Sequence, residues 1–383
     1  MGVSQWGAPG NGGQQGFGQQ GGFQPGGFHQ PGGFQQQGGF GQGFPGQHGG
    51  FNQPGWAPPS GPPGQFPPQG QFPPPGQFPP PRRPKRKLGP IFGIMSAALA
   101  LIIGASVVGS ALSQPQYEND DYEAAPASDA PVPLDEPDAT ETPDDLLLAN
   151  ELYGQQIPAP VRCEAGDIDA VNASDAEVEA HIDELMGCLM RVWQPAFDGT
   201  KYTLVRPKVN IYHESISTPC NGGESVGINA MYCPANQQVY WSRNIVDAVP
   251  AYGEDHVMDM VMAHEFGHGI QSRANVAIAW QSVAMSSAES EALELSRRSE
   301  SQADCLAGMF ISATSQSMDL SEGDFDRIVD AAKAGGSDNT SGDPNAESTH
   351  PQADSRDYWM RTGMNTVDVS SCDTWSAPAQ AVR

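Results

Sequence analysis

His264-Glu265-Phe266-Gly267-His268 is the segment of this sequence best suited to chemistry. On an α-helix, residues four apart share a face, so both imidazoles can reach a single ion. Glu265 stands beside the first of them and can take a proton from water bound to that ion. The lead-in, His256-Val-Met-Asp-Met-Val-Met-Ala263, is mostly apolar and free of breakers, as a buried helix requires. Gly267 and Gly269 weaken that helix but admit close approach of backbone or substrate. With only 8 His in 383 residues, chance supplies about 0.01 motifs of this form per chain.

A catalytic zinc takes three protein ligands and keeps one position open for water. The third ligand is expected from Glu300-Ser-Gln-Ala-Asp304. The stretch from 287 to 311 reads as a helix rich in Ala, Glu, Leu, Ser and Arg, with no Gly or Pro before Gly308. Glu300 and Asp304 share its face. Glu300 would bind the ion while Asp304 accepts the remaining N–H of one ligand His, fixing tautomer and orientation. One Zn2+ per chain is predicted, held by His264, His268 and Glu300, with Glu265 as the general base.

These motifs resemble a known family, the membrane-anchored bacterial "putative neutral zinc metallopeptidases". The resemblance rests on Ala263-His-Glu-Phe-Gly-His268 and Glu300-Ser-Gln-Ala-Asp-Cys-Leu-Ala-Gly308. It extends upstream to Tyr232-Cys-Pro-Ala-Asn-Gln-Gln-Val-Tyr240, and downstream to Thr349-His-Pro351 and Trp359-Met-Arg-Thr-Gly363. It spans about residues 160 to 375 and implies a gluzincin-like site with the same ligands and base. The chain departs from the pattern at Gly269, where a second His is usual, and at Asn236 and Ser242, where Asp is usual. His350, in the matched closing segment, is the candidate donor to a tetrahedral oxyanion. Tyr232 and Tyr240 are alternatives.

The rest of the chain divides into unlike parts. Residues 1–81 hold no Asp, Glu, Lys or Arg and are dominated by Gly, Gln, Pro and Phe. Such a composition cannot bury enough apolar area to offset its chain entropy, so a disordered tail is expected. A basic cluster at 82–87, Arg82-Arg-Pro-Lys-Arg-Lys87, precedes the 22 uncharged residues from 91 to 112. As a helix that run is roughly 33 Å long, enough for a hydrocarbon core. A single transmembrane helix over 88–113 is therefore predicted, with the basic side cytoplasmic and the remainder extracytoplasmic. Residues 114–158 are acidic and Pro/Ala-rich and read as an extended, self-repelling spacer. That leaves 159–383 as one metallopeptidase domain.

Beyond the apolar run, 14 basic side chains face 45 acidic ones, a formal charge of −31. Phosphates would be repelled, so nucleic acid is excluded as a partner. Peptide or protein substrate and the membrane are the expected partners. Cys163, Cys188, Cys220, Cys233, Cys305 and Cys372 all lie beyond the run as well, which fits an oxidising compartment. Six thiols allow fifteen pairings. Cys220–Cys233, Cys163–Cys188 and Cys305–Cys372 are the favoured set, and the absence of Cys-x-x-Cys spacing argues against a cysteine zinc site.

The fold class expected is α+β, mainly helical with a small sheet. Ser174-Asp-Ala-Glu177 forms a capping box for a helix to about Trp193, with Ile182, Leu185, Met186, Leu189 and Met190 on its core face. His181 beside them reads as an ordinary surface or partly buried residue. Strands are expected at 202–205, 209–213 and 238–241, with His213 a candidate cleft contact. Helices follow at 254–273, 287–311, from Ser321 to about 335, and from Pro351 to about Met360. The function predicted is zinc-dependent peptide-bond hydrolysis outside the membrane. Its rivals are a membrane-anchored scaffold with structural zinc and a zinc amidase acting on cell-wall material.

Overall fold

A computed structural model describes residues 116–343, 345 and 347–383. The expected tail, basic cluster and transmembrane helix lie outside the described residues. Among those described, no helix is long and apolar enough to cross a membrane.

The fold is built around one helix. We number the helices α1 (Pro143–Leu148), α2 (Asp175–Asp198), α3 (Ile245–Ala248), α4 (Val257–Arg273), α5 (Val276–Ala284), α6 (Glu289–Thr314), α7 (Glu322–Ala334), α8 (Ser337–Ser341) and α9 (Ala353–Met364). Every residue of α4 except His268 is buried. A helix covered on all sides has to lie inside the core rather than along it, and α2, α6 and the sheet enclose this one. The helix starts at Val257, later than expected, because the 3-10 turn Pro250–Gly253 precedes it and His256 adopts a left-handed conformation (φ 61°). Gly267 lets α6 approach: a Cβ there would sit 3.1 Å from the Ala303 Cα.

Ser174 caps α2 as its sequence predicts. Its hydroxyl accepts from the Glu177 N–H at 3.3 Å, and Glu177 returns a carboxylate to the Ser174 N–H at 2.8 Å. Ile182, Leu185, Met186, Leu189 and Met190 are all buried. The sheet has the order β1 (Lys208–Tyr212), β5 (Gln238–Ser242), β4 (Ala230–Cys233), with β1 parallel and β4 antiparallel to β5. β4 is thus an edge strand, and it lies against α4. A two-stranded ribbon, β2 (Ile216–Ser217) with β3 (Ser225–Val226), stands beside it. The strand expected at 202–205 does not form. Its backbone is taken by side chains instead: Thr203 N–H donates to Asp135, and Thr203 C=O accepts from Arg273, both at 2.6 Å.

The acidic segment expected to stand off as a spacer is, from residue 116 onward, folded onto the domain. Leu146, Leu147, Leu152 and Ile157 belong to the core. Arg273, only 1% exposed, donates to the carbonyls of Val132 and Pro133, each at 3.0 Å. The Gln237 amide brackets Val132, accepting its N–H at 2.9 Å and donating to its C=O at 2.6 Å. The acids do not repel one another freely because cations from elsewhere meet them: Lys208 on Asp129, Lys201 on Glu141 and Asp138, and Arg162 on Asp120.

The three disulfides are Cys163–Cys188, Cys220–Cys233 and Cys305–Cys372. The last ties α6 to the C-terminal segment. α9 crosses α6 at very close range, where a side chain on Gly308 would strike the Met360 carbonyl and one on Gly363 the Cys305 carbonyl. That crossing sets the phase at which α9 faces the centre of the molecule.

Candidate metal centre

His264 and His268 project from one face of α4 with ring centroids 4.8 Å apart and planes at 89°. Glu300 enters from α6. Its Oε2 lies 3.2 Å from His264 Nε2 and its Oε1 3.5 Å from His268 Nε2. Ligands about 2.0–2.2 Å from a tetrahedral zinc would be separated by roughly 3.4 Å. The ligand atoms of all three residues lie within 4.8 Å of one another. The predicted set is therefore brought together with a spacing a zinc ion fits.

The Nδ1 atoms are held from behind. His264 Nδ1 lies 2.8 Å from Asp304 Oδ1, the outer role the sequence suggested. His268 Nδ1 lies 2.9 Å from Gln271 Oε1. The orientation of the Gln271 amide is set by its own NH2, which donates to the Ser299 carbonyl and the Gln302 side chain. With Nδ1–H donated in both rings, the Nε2 lone pairs face the shared space.

Charge supports the same assignment. Glu265, Glu300 and Asp304 converge here against one guanidinium, that of Arg356. With neutral imidazoles the set is two positive charges short, the charge of one zinc ion. Protons respond to the same deficit. Burial disfavours a charged His264, but Asp304 and Glu300 outweigh it and push its pKa up to about 10. Burial would raise Glu300, yet His350, His268 and His264 hold it well below the usual carboxylate range. Glu265 shifts upward, chiefly through burial, against the pull of the two imidazoles. Its Oε2 accepts the Tyr232 N–H of β4 at 2.7 Å.

His350 stands at the rim, half exposed, with Nε2 3.7 Å from Glu300 Oε2. Tyr232 and Tyr240 do not join it. The Tyr232 ring lies over Gly269 and its hydroxyl is at Ser272. The Tyr240 hydroxyl is engaged by Asn236 at 2.7 Å. His213, the candidate cleft contact, is exposed and pairs with Asp175 at the start of α2. His181 is buried rather than superficial, hydrogen-bonded to Asp259 at 2.6 Å.

Sequence reasoning missed two residues. Gln271 lies three positions beyond His268, and that helical spacing was a usable signal. Arg356 is 52 positions from Asp304, and nothing local announces the contact.

Two imidazoles from one helix and a carboxylate from the next, with a glutamate beside the first imidazole, form a ligand group that could hold a zinc ion. Residues 144–375 match the family described as "putative neutral zinc metallopeptidase", and the chain belongs to it. Among relatives, the Escherichia coli K12 protein named "Uncharacterized protein YpfJ" is 27% identical over 215 residues, covering 54% of this chain and 74% of that one. The Mycobacterium tuberculosis protein "Uncharacterized protein Rv2575" is 32% identical over 205 residues, covering 49% of this chain and 67% of its own. "Uncharacterized protein Mb2605" of Mycobacterium bovis matches to the same extent. No solved structure matches the chain.

Proposed function

We propose that this chain is a zinc-dependent peptidase, anchored in the membrane by the apolar run at 91–112, with its catalytic domain on the extracytoplasmic side. The observation that carries the catalytic reading is the convergence of His264, His268 and Glu300 beside a buried Glu265. Zinc bound there lowers the pKa of a water ligand and polarises a scissile carbonyl.

Glu265 takes the proton of the attacking water. The Tyr232 N–H holds Oε2, which leaves Oε1 for that transfer. Burial raises its proton affinity, so it both accepts the proton and hands it to the departing amine. The outer edge of β4 beside α4, where the Tyr232 N–H is already given to Glu265, receives the peptide on its remaining backbone groups as an added strand. His350 donates to the oxyanion from the rim. The anchor reading rests on the basic cluster at 82–87, the uncharged run after it, and six cysteines confined to the far side.

The catalytic test offers the purified full chain casein, peptide libraries and wall fragments. Cleavage of peptide bonds should stop with a chelator and return with zinc. Glu265→Gln should keep its zinc and lose roughly 10²–10⁴-fold in rate. Undiminished cleavage by Glu265→Gln would sink the mechanism, and cleavage confined to wall cross-links would make the chain an amidase. For the anchor, the full chain should resist carbonate extraction from membranes and be cut by protease added outside spheroplasts. Recovery in the soluble fraction overturns it.

A further inference from the structure

Arg356 is the buried cation nearest the proposed zinc ligands, and the mechanism above does not use it. It is 7% exposed and forks onto a fully buried Asp304, with Nε 2.9 Å from Oδ2 and Nη2 2.7 Å from Oδ1. That Oδ1 is the atom that accepts from His264 Nδ1. The Tyr252 hydroxyl and the guanidinium lie side by side against Gly335. The contacts run in series from α9 through α6 to α4, and the glycine crossing of α6 and α9 fixes the register at which Arg356 meets Asp304.

We infer that Arg356 is a positioning residue for the metal centre: through Asp304 it fixes the His264 ring with Nε2 facing the ion. The inference rests on the zinc reading above. A carboxylate gripped at both oxygens by a planar fork cannot rotate, so the imidazole donating to it is held in one plane and one tautomer. Arg356 also settles the charge. Zinc brings two positive charges to a site with three carboxylates, and the guanidinium supplies the third. Lysine offers one point charge and no fork, so it preserves the charge but not the alignment.

The test measures zinc affinity of the metal-stripped full chain against a chromophoric chelator, alongside the thermal midpoint of the metal-free form. Arg356→Lys should weaken zinc binding about 10-fold, within the range for partners of metal ligands. Asp304→Asn should weaken it at least as much. The double variant Asp304→Asn/Arg356→Lys should bind no more weakly than Asp304→Asn, because the arginine acts through the aspartate. Should Arg356→Lys fail to fold, Asp304→Asn/Arg356→Gln removes both charges together and should show the same weakening. A lowered midpoint with unchanged zinc affinity would make Arg356 a packing residue and overturn the inference. So would fully multiplicative effects in the double variant, or wild-type affinity in the uncharged pair. An unsubstituted chain that takes up no zinc overturns the metal-centre reading and this inference with it. Normal zinc there with an unshifted Arg356→Lys overturns this inference alone.

Discussion

One helix carries two histidine–carboxylate clusters, and only one of them is built for a cation. At the start of α4, Asp259 meets His181 at 2.6 Å through Oδ1 and His256 at 3.2 Å through Oδ2. Their side chains are 3%, 5% and 9% exposed, in that order. The carboxylate there is consumed by direct hydrogen bonds, each oxygen to its own imidazole. Farther along, His264 and His268 are each drawn from behind, by Asp304 and Gln271. Their Nε2 atoms stand 3.2 and 3.5 Å from a Glu300 that remains 16% exposed. The residue types are the same. What separates them is what the front atoms meet: each oxygen of Asp259 is spent on one imidazole, whereas the two Nε2 atoms and Glu300 converge at a spacing that could hold an ion.

Substitution should separate the two clusters sharply, and this is the largest effect expected. His264→Ala should abolish stoichiometric zinc and any peptide cleavage. His181→Ala should keep one zinc per chain but cost about 3–5 kcal/mol of stability, the usual loss when one partner of a buried pair is removed. Metal analysis and denaturant unfolding of the two variants check this. Loss of zinc from His181→Ala, with the fold intact, would mean that the clusters are not independent.

The contrast between the clusters also marks what the sequence made legible. His264, Glu265 and His268 were readable because an i, i+4 pattern is local, and Glu300 with Asp304 because a second helix repeats it. The burial of His181 was legible in principle, since Val178, His181, Ile182 and Leu185 follow one helical stripe. Arg356 was not, because its meaning depends on how α9 crosses α6. The acidic segment was misread for a related reason. Composition reports the repulsion among its acids, but the neutralising Arg162, Lys201, Lys208 and Arg273 reach it only through the tertiary fold. The strand at 202–205 failed likewise, its hydrogen bonds claimed by a segment 68 positions away.

The smallest effect, and the most specific to the first cluster, is a pH dependence. For His181 burial disfavours the charge, but Asp259 more than offsets it; for His256 the hydrogen bond to Asp259 comes first. Both pKa values are raised above that of an unfolded histidine. Asp167 faces both imidazoles and Asp324 faces His256, adding negative potential in the same direction. A group whose folded pKa is raised stabilises fully below its unfolded pKa, about 6.5, and loses that contribution as pH rises through the folded value. The joint contribution of His181 and His256 to the stability of the zinc-loaded chain should therefore fall as pH rises from about 6.5. The pair His181→Gln/His256→Gln should remove that downward contribution. His264 and His268, unprotonated as ligands and protonated at lower pH only when unfolded, contribute with the opposite sign and equally in wild type and variant. Unfolding free energies measured at intervals across this window decide it. An equal slope in wild type and the double variant would assign the dependence to other groups and reduce Asp259 to a hydrogen-bonded strut.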